Sequence, residues 1–456
     1  MSSSPLVVLM ALTSFLILPG GSIQNVTPDS VSNLLLQDDV EQAEVLLDRQ
    51  SKTSLTTALK GEIEYRKGNF DKAQALYDEA LRMDTGTARA HLGLSKLAIA
   101  KLQGNQAVTE ILRAIELDPK VPLYRLYASE AYAVQKNYVE QRKQLEEYVR
   151  LSPATDDDRL AEAKAGIELI DAFGDEEIAR VEGPESPAPV RFGRTLNLIF
   201  SNIMINGMGP YNFAIDTGAT QTVLSQKLAA DLGLAPITTT IMHGIGGSGK
   251  IESKMYRLDE IAIGDMKVRN VPAGTFADPL LSQLADGILG TAMLSDFIIT
   301  INYPKNQMEL SRKKTAADAS SETLPAWYFS NLLLVPLEVN GNRGNFIVDT
   351  GAVTTVLSHS MASKLGVNER TPGARVDLGI VGVGGFEAVV LQVPNVTIKT
   401  PNRSEQFAQV VSIDLKQISK MLGTEVSGVV GYDFLQDYQL TLDYYGTEVR
   451  LTKPAN

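Results

Sequence analysis

One thirteen-residue segment occurs twice in this chain, and it constrains the fold more than any other feature. Phe213-Ala214-Ile215-Asp216-Thr217-Gly218-Ala219-Thr220-Gln221-Thr222-Val223-Leu224-Ser225 returns as Phe346-Ile347-Val348-Asp349-Thr350-Gly351-Ala352-Val353-Thr354-Thr355-Val356-Leu357-Ser358, 133 residues later. An apolar strand ending in a turn signal precedes each copy, at Asn206-Gly207 and at Asn340-Gly341. Asn-Gly between alternating apolar residues is a hairpin signal. A short helical pattern follows each copy, over 226–232 and over 360–365. Glycine-rich turns then recur at Gly244, Gly246, Gly247 and at Gly382, Gly384, Gly385. Asp286-Gly287-Ile288-Leu289-Gly290 and Ser427-Gly428-Val429-Val430-Gly431 close the series in the same order. The pattern predicts two copies of one β unit, over 194–320 and 321–453.

A second repetition lies upstream. Asp118-Pro119 and Ser152-Pro153 stand 34 residues apart, and Asn69-Phe70 and Asn137-Tyr138 stand at twice that interval. Small and aromatic residues fill the positions between them: Gly61, Gly68, Ala73, Tyr77 and Ala80, then Ala107, Ile111 and Ala114, then Tyr132, Tyr138 and Leu145. A 34-residue period with this mixture is the signature of stacked helix pairs. Residues 28–175 are expected as such repeats, with Ala43 and Leu47 in a partial leading unit. The acidic, proline-rich stretch 176–193 is expected as a semi-rigid linker. The apolar run Leu6–Leu18, followed by Pro19-Gly20-Gly21-Ser22, predicts a secretory signal or anchor over 1–22, although no basic residue precedes it.

Composition removes several kinds of chemistry. The 456 residues include no cysteine and only three histidines, His91, His243 and His359. Thiolate nucleophiles, disulfides and Cys-ligated zinc are excluded, and no metal or cofactor site is expected. The formal net charge of −12 and the lack of a basic stripe argue against a nucleic-acid partner. Carboxylates, hydroxyls and backbone remain.

Asp216 and Asp349 fit that remainder. Each ends an apolar strand, where an ionised carboxylate is costly unless it is hydrogen-bonded or protonated. Two such groups face to face can share one proton. The charged member can take a proton from water while the neutral member donates one to a substrate carbonyl. Gly218 and Gly351 let backbone approach the carboxylates, and Thr217 and Thr350 can bond across to the opposite loop.

On these motifs residues 191–453 resemble a tandem, single-chain form of the retropepsin-like aspartic peptidases found in bacteria. The helical stretch resembles the tetratricopeptide repeat family. The fold implied is an all-α solenoid followed by an all-β, duplicated retropepsin/pepsin-like domain. The resemblance implies Asp216 and Asp349 as the catalytic pair and the two glycine-rich turns as flaps. It also implies a peptide or protein substrate, with the repeats recruiting substrate or partner, and the apolar segment at 1–22 points to a secreted, periplasmic or membrane-anchored chain. Both half-sites lie on one chain, so a monomeric peptidase unit, separable at about Arg191, is expected. The rival reading is a binding protein or scaffold that kept the peptidase fold without catalysis.

Overall fold

The computed structural model describes residues 28–36, 39–153, 157–243, 250–277, 279–314, 320–382 and 385–453. The apolar leader at 1–22 and the turn residues Gly244, Gly246, Gly247 and Gly384 lie outside these. No helix among the described residues is long and apolar enough to cross a membrane.

The 34-residue period resolves into antiparallel helix pairs. They are α1 (Pro28–Leu36), α2 (Val40–Leu47), α3 (Ser54–Arg66), α4 (Phe70–Met83), α5 (Ala88–Ala100), α6 (Gly104–Leu117), α7 (Pro122–Val134), α8 (Tyr138–Leu151) and α9 (Asp157–Phe173). Close helix approach explains the small residues. A Cβ added to Gly61 or Gly93 would come within 2.6 Å or 2.2 Å of the buried Tyr77 ring, which fills the space between α3 and α5. The turns inside the pairs α3–α4, α5–α6 and α7–α8 each carry one residue at positive φ, namely Gly68, Leu102 and Lys136, at the repeat interval.

Downstream, a nine-stranded sheet is built mainly from the first copy and an eight-stranded sheet from the second. A third, six-stranded sheet joins them. Its order is Ser321–Pro325, Glu448–Thr452, Gln439–Asp443, Ile298–Asn302, Gln307–Ser311, Ala188–Val190. Its central pair takes one strand from each half, with Thr300 opposite Thr441. The two halves therefore share backbone hydrogen bonds as well as a packed core.

The segment 176–193 is not a linker. Arg180–Glu182 pairs with the strand Met266–Phe276, Ala188–Val190 pairs with Gln307–Ser311, and Phe192–Thr195 opens a hairpin with Leu198–Ile205. Proline is tolerated here because Ala188–Val190 is an edge strand, where a missing N–H breaks no ladder.

The repeats dock on both halves through the turns within their helix pairs. Asn345 donates to the Gly68 carbonyl (3.1 Å), Thr424 donates to the Tyr65 carbonyl (2.9 Å), and Glu425 N–H donates to the Arg66 carbonyl (2.7 Å). Trp327 packs against Phe70 (ring centroids 4.3 Å) with the Lys101 ammonium over its other side (4.7 Å). At the far end Lys136 pairs with Asp296 of the first half (2.6 Å). The solenoid edge thus spans from one half to the other.

Candidate active site

Each Asp-Thr-Gly loop leaves a strand and is held from behind by the apolar-apolar-glycine strand that the sequence also repeats. Gly287–Leu289 runs parallel to Met208–Ile215, and Gly428–Val430 runs parallel to Asn342–Val348. The Leu289 carbonyl takes the Asp216 N–H and the Val430 carbonyl takes the Asp349 N–H, both at 3.1 Å. Asp286 adds a carboxylate that accepts from Asn212 N–H (2.8 Å). In the second half Ser427 stands at that place and Asn345, the counterpart of Asn212, turns its amide to the repeats.

The two loops meet. Thr217 Oγ1 donates to the Val348 carbonyl (2.8 Å) and accepts from Thr350 N–H (3.0 Å). Thr350 Oγ1 donates to the Ile215 carbonyl (2.8 Å) and accepts from Thr217 N–H (3.1 Å). Both threonines are buried. Thr217→Val should leave one buried N–H and one buried carbonyl without partners, at about 1–3 kcal/mol per group. Thr217→Ser keeps the hydroxyl and should cost far less. Denaturant unfolding of the two variants beside wild type checks this, and equal losses would contradict it.

This crossed arrangement places the carboxyls of Asp216 and Asp349 in hydrogen-bond contact with each other. The glycines make it possible. A Cβ on Gly218 would lie 2.3 Å from Asp349 Oδ2, and one on Gly351 would lie 2.3 Å from Asp216 Cγ. Gly218 and Ala219 N–H donate to Asp216 Oδ1 (2.8 and 3.1 Å), and Gly351 N–H donates to Asp349 Oδ1 (2.7 Å). Ala352 N–H supports Asp349 in the same way. Both aspartates are half-buried. Burial pushes both carboxyls above the ordinary value of 3.8, and the neighbouring Asp216 pushes Asp349 further. The pair is held in a setting that favours one shared proton.

The strands that flank the two glycine-rich segments pair as hairpins. Thr238–His243 pairs with Lys250–Ile263 up to His243 opposite Lys250. Arg375–Gly382 pairs with Gly385–Lys399 up to Gly382 opposite Gly385. A cavity of about 250 Å³ lies elsewhere, against Pro187, Thr300, Glu309 and Arg450 of the shared sheet, and no dyad residue lines it. Among the described residues no cluster could hold a metal ion.

Several neighbours of the site carry no motif in the sequence. Arg194 lies over Tyr303 and Tyr432 and donates to the Tyr432 hydroxyl (3.2 Å) across the junction of the halves. Thr291 N–H and Oγ1 both donate to the Ala219 carbonyl at 2.8 Å. Asn331 donates to the Thr220 carbonyl (3.1 Å). The one usable signal is position: Arg194 and Tyr328 stand in equivalent strands of the two copies, ahead of the equivalent turns Leu196-Asn197 and Ser330-Asn331.

Paired β halves with crossed Asp-Thr-Gly loops at their junction define a duplicated aspartic-peptidase fold. The family comparisons agree. The aspartyl protease family model matches residues 201–293 and 335–434, and a tetratricopeptide repeat model matches residues 65–130. Two stretches of the downstream region are thus similar to the aspartyl protease family, in keeping with a two-copy retropepsin-like form, and they follow a stretch similar to tetratricopeptide repeats. The chain is 24% identical over 210 residues to Protein DDI1 homolog 1 of Caenorhabditis elegans, covering 44% of this chain and 49% of that protein. It is 28% identical over 134 residues to DNA damage-inducible protein 1 of Yarrowia lipolytica, covering 28% of this chain and 30% of that one. The chain thus spans about half or less of the length of these curated relatives. A crystal structure of aspartic proteinase from Irpex lacteus aligns over 59% of this chain and 98% of that one, at 12% identity and a TM-score of 0.41.

Proposed function

We propose that this chain is an aspartic endopeptidase in which Asp216 and Asp349 act as one dyad on a peptide substrate. The observation that carries the reading is the reciprocal seat of each carboxyl against the opposite glycine, with the two carboxyls in contact. The ionised member takes a proton from water as the water oxygen bonds to the scissile carbonyl carbon. The neutral member donates its proton to the carbonyl oxygen. Collapse of the tetrahedral intermediate then breaks the C–N bond, with a proton passing to the leaving amine. Both carboxyls come from one chain, so no second copy is needed to assemble the dyad. The repeats have a free role in recruiting a protein only through surfaces other than the docked turn edge. In the same proposal residues 1–22 are a secretory signal or an anchor that sends the chain out of the cytoplasm, and the N-terminus of the cell-derived chain measured by mass spectrometry separates the two.

The functional reading is tested by incubating the full chain with a proteome-derived peptide mixture. Internal cleavage that a statine-type peptide analogue blocks is expected. Tight analogue binding without any cleavage would overturn it.

The pH dependence follows from Ala219 and Ala352. A hydroxyl at those positions could donate to the ionised carboxylate and lower its pKa, and alanine cannot. Burial has already moved the pair upward. The active, singly protonated form is lost when acid protonates both groups, so the acid limb of the rate profile should lie above 3.8, the ordinary value. Ala219→Ser and Ala352→Ser should each move that limb downward. An unmoved or raised limb in the serine variants would contradict the argument.

A further inference from the structure

The two catalytic loops are equivalent in sequence but not in how the opposite half holds them. In the second half the hairpin of strands Trp327–Phe329 and Leu332–Val339 turns through Ser330 and Asn331, at φ 47° and 71°. From that turn Asn331 Nδ2 crosses to the first half and donates to the Thr220 carbonyl (3.1 Å). The Tyr328 hydroxyl donates to Asn331 Oδ1, which fixes which end of the amide faces the loop. Thr220 directly follows Ala219, whose N–H supports Asp216 Oδ1 (3.1 Å). The matching hairpin of the first half turns through Leu196 and Asn197, at φ 54° and 66°. There the tip is exposed, with Leu196 68% accessible. Asn197 makes no such bond among the described residues, and Arg194 replaces Tyr328, bonding Tyr432 instead.

A salt bridge joins a repeat turn to the first half near this hairpin. Lys136 holds the Asp296 carboxylate (2.6 Å), and Tyr445 donates to the Asp296 carbonyl (2.7 Å). Burial, and after it the Asp296 charge, raises the Tyr328 hydroxyl above its ordinary value.

We infer that Asn331, oriented by Tyr328, is a positioning residue that holds the first catalytic loop so that Ala219 N–H supports the ionised form of Asp216. This rests on the dyad reading above. Loss of the amide lets the Ala219–Thr220 segment relax. Weaker support for the charged state moves the dyad's lower titration upward.

The test uses the full chain with Asn331→Gly and Tyr328→Phe. Glycine adopts the positive φ at 331 without strain, and phenylalanine removes only the orienting hydroxyl. Both variants are expected to lose kcat on the order of ten-fold, with KM nearly unchanged, because the displaced group acts on chemistry more than on substrate binding. Both should also raise the acid limb, Asn331→Gly further than Tyr328→Phe. The other titratable groups facing the dyad are Tyr303 and Tyr444, which burial drives further from neutrality, with Arg194 over Tyr303. Asp296, Lys136 and Tyr138 stay unchanged in every variant compared. The same limb is read in the pH dependence of binding a statine-type peptide, which needs the dyad's proton but no turnover. An acid limb that stays in place in both variants, or a change in melting temperature alone, overturns the positioning role while leaving the dyad intact. A wild-type chain that neither cleaves nor binds the analogue overturns both readings.

Discussion

A chain cut to begin at Arg191 is expected to be poorly soluble or to unfold far below the full-length protein. The duplicated domain looks separable in the sequence, but its surface is finished by residues upstream. Phe329, Leu415, Ile418, Leu422 and Val426 share one buried cluster with Tyr65, Phe70, Ala73 and Ala80 of the repeats, and Trp327 packs against it. Uncovering side chains of this size costs roughly 1.5–3 kcal/mol each. Five or six of them together rival the whole stability of an ordinary domain, about 5–15 kcal/mol. The cut also strips Arg180–Glu182 and Ala188–Val190 from two sheets and exposes their former partners as edges. Asn345 and Glu425 lose their partners in the repeats as well. Light scattering and thermal unfolding of the truncated and full chains, side by side, decide the matter. A soluble truncated monomer with a wild-type melting temperature would contradict the account and restore the separable unit expected from the duplication alone.

The parts of this molecule that could be read in advance are those where a local rule repeats. The crossed threonines follow from Asp-Thr-Gly occurring twice, since two like loops meeting about an approximate two-fold must offer each other the same groups. The helix pairs follow from a period that places Gly61 and Gly93 against one Tyr77 ring. What could not be read depends on partners distant in the chain. Ala188–Val190 is three residues long and proline-containing, so its strand character exists only beside Gln307–Ser311. Trp327 reads in the sequence as part of the connection between the copies, but it opens the first hairpin of the second half, and only the tertiary structure places it against Phe70. Asn331 looks like a turn residue, which it is, and its reach to Thr220 emerges only when the halves are joined.

If Asp216 and Asp349 serve chemistry, their half-buried carboxyls do so at a cost to the fold. A carboxyl whose proton is held more tightly in the folded chain penalises folding as pH rises above its unfolded value. Asp349 is raised well above 3.8, so the penalty should be present at neutral pH and fade toward pH 4. Asp349→Asn keeps the shape, keeps an oxygen for Gly351 N–H, and removes the ionisable group. It should therefore melt at a higher temperature than wild type at pH 7, with the difference narrowing as the pH falls. The same substitution removes a proton-transfer partner from both steps of the reaction, and Asp216→Asn does so from the other side. General acid–base roles of this kind are worth about a hundred- to ten-thousand-fold each, so either variant should lose at least that much turnover. The most direct measurement is kcat and melting temperature of Asp349→Asn and wild type in the same buffers from pH 4 to pH 7. Asp349→Asn is expected to lose turnover while gaining stability at neutral pH. Near-wild-type turnover in a folded Asp349→Asn chain would contradict the dyad.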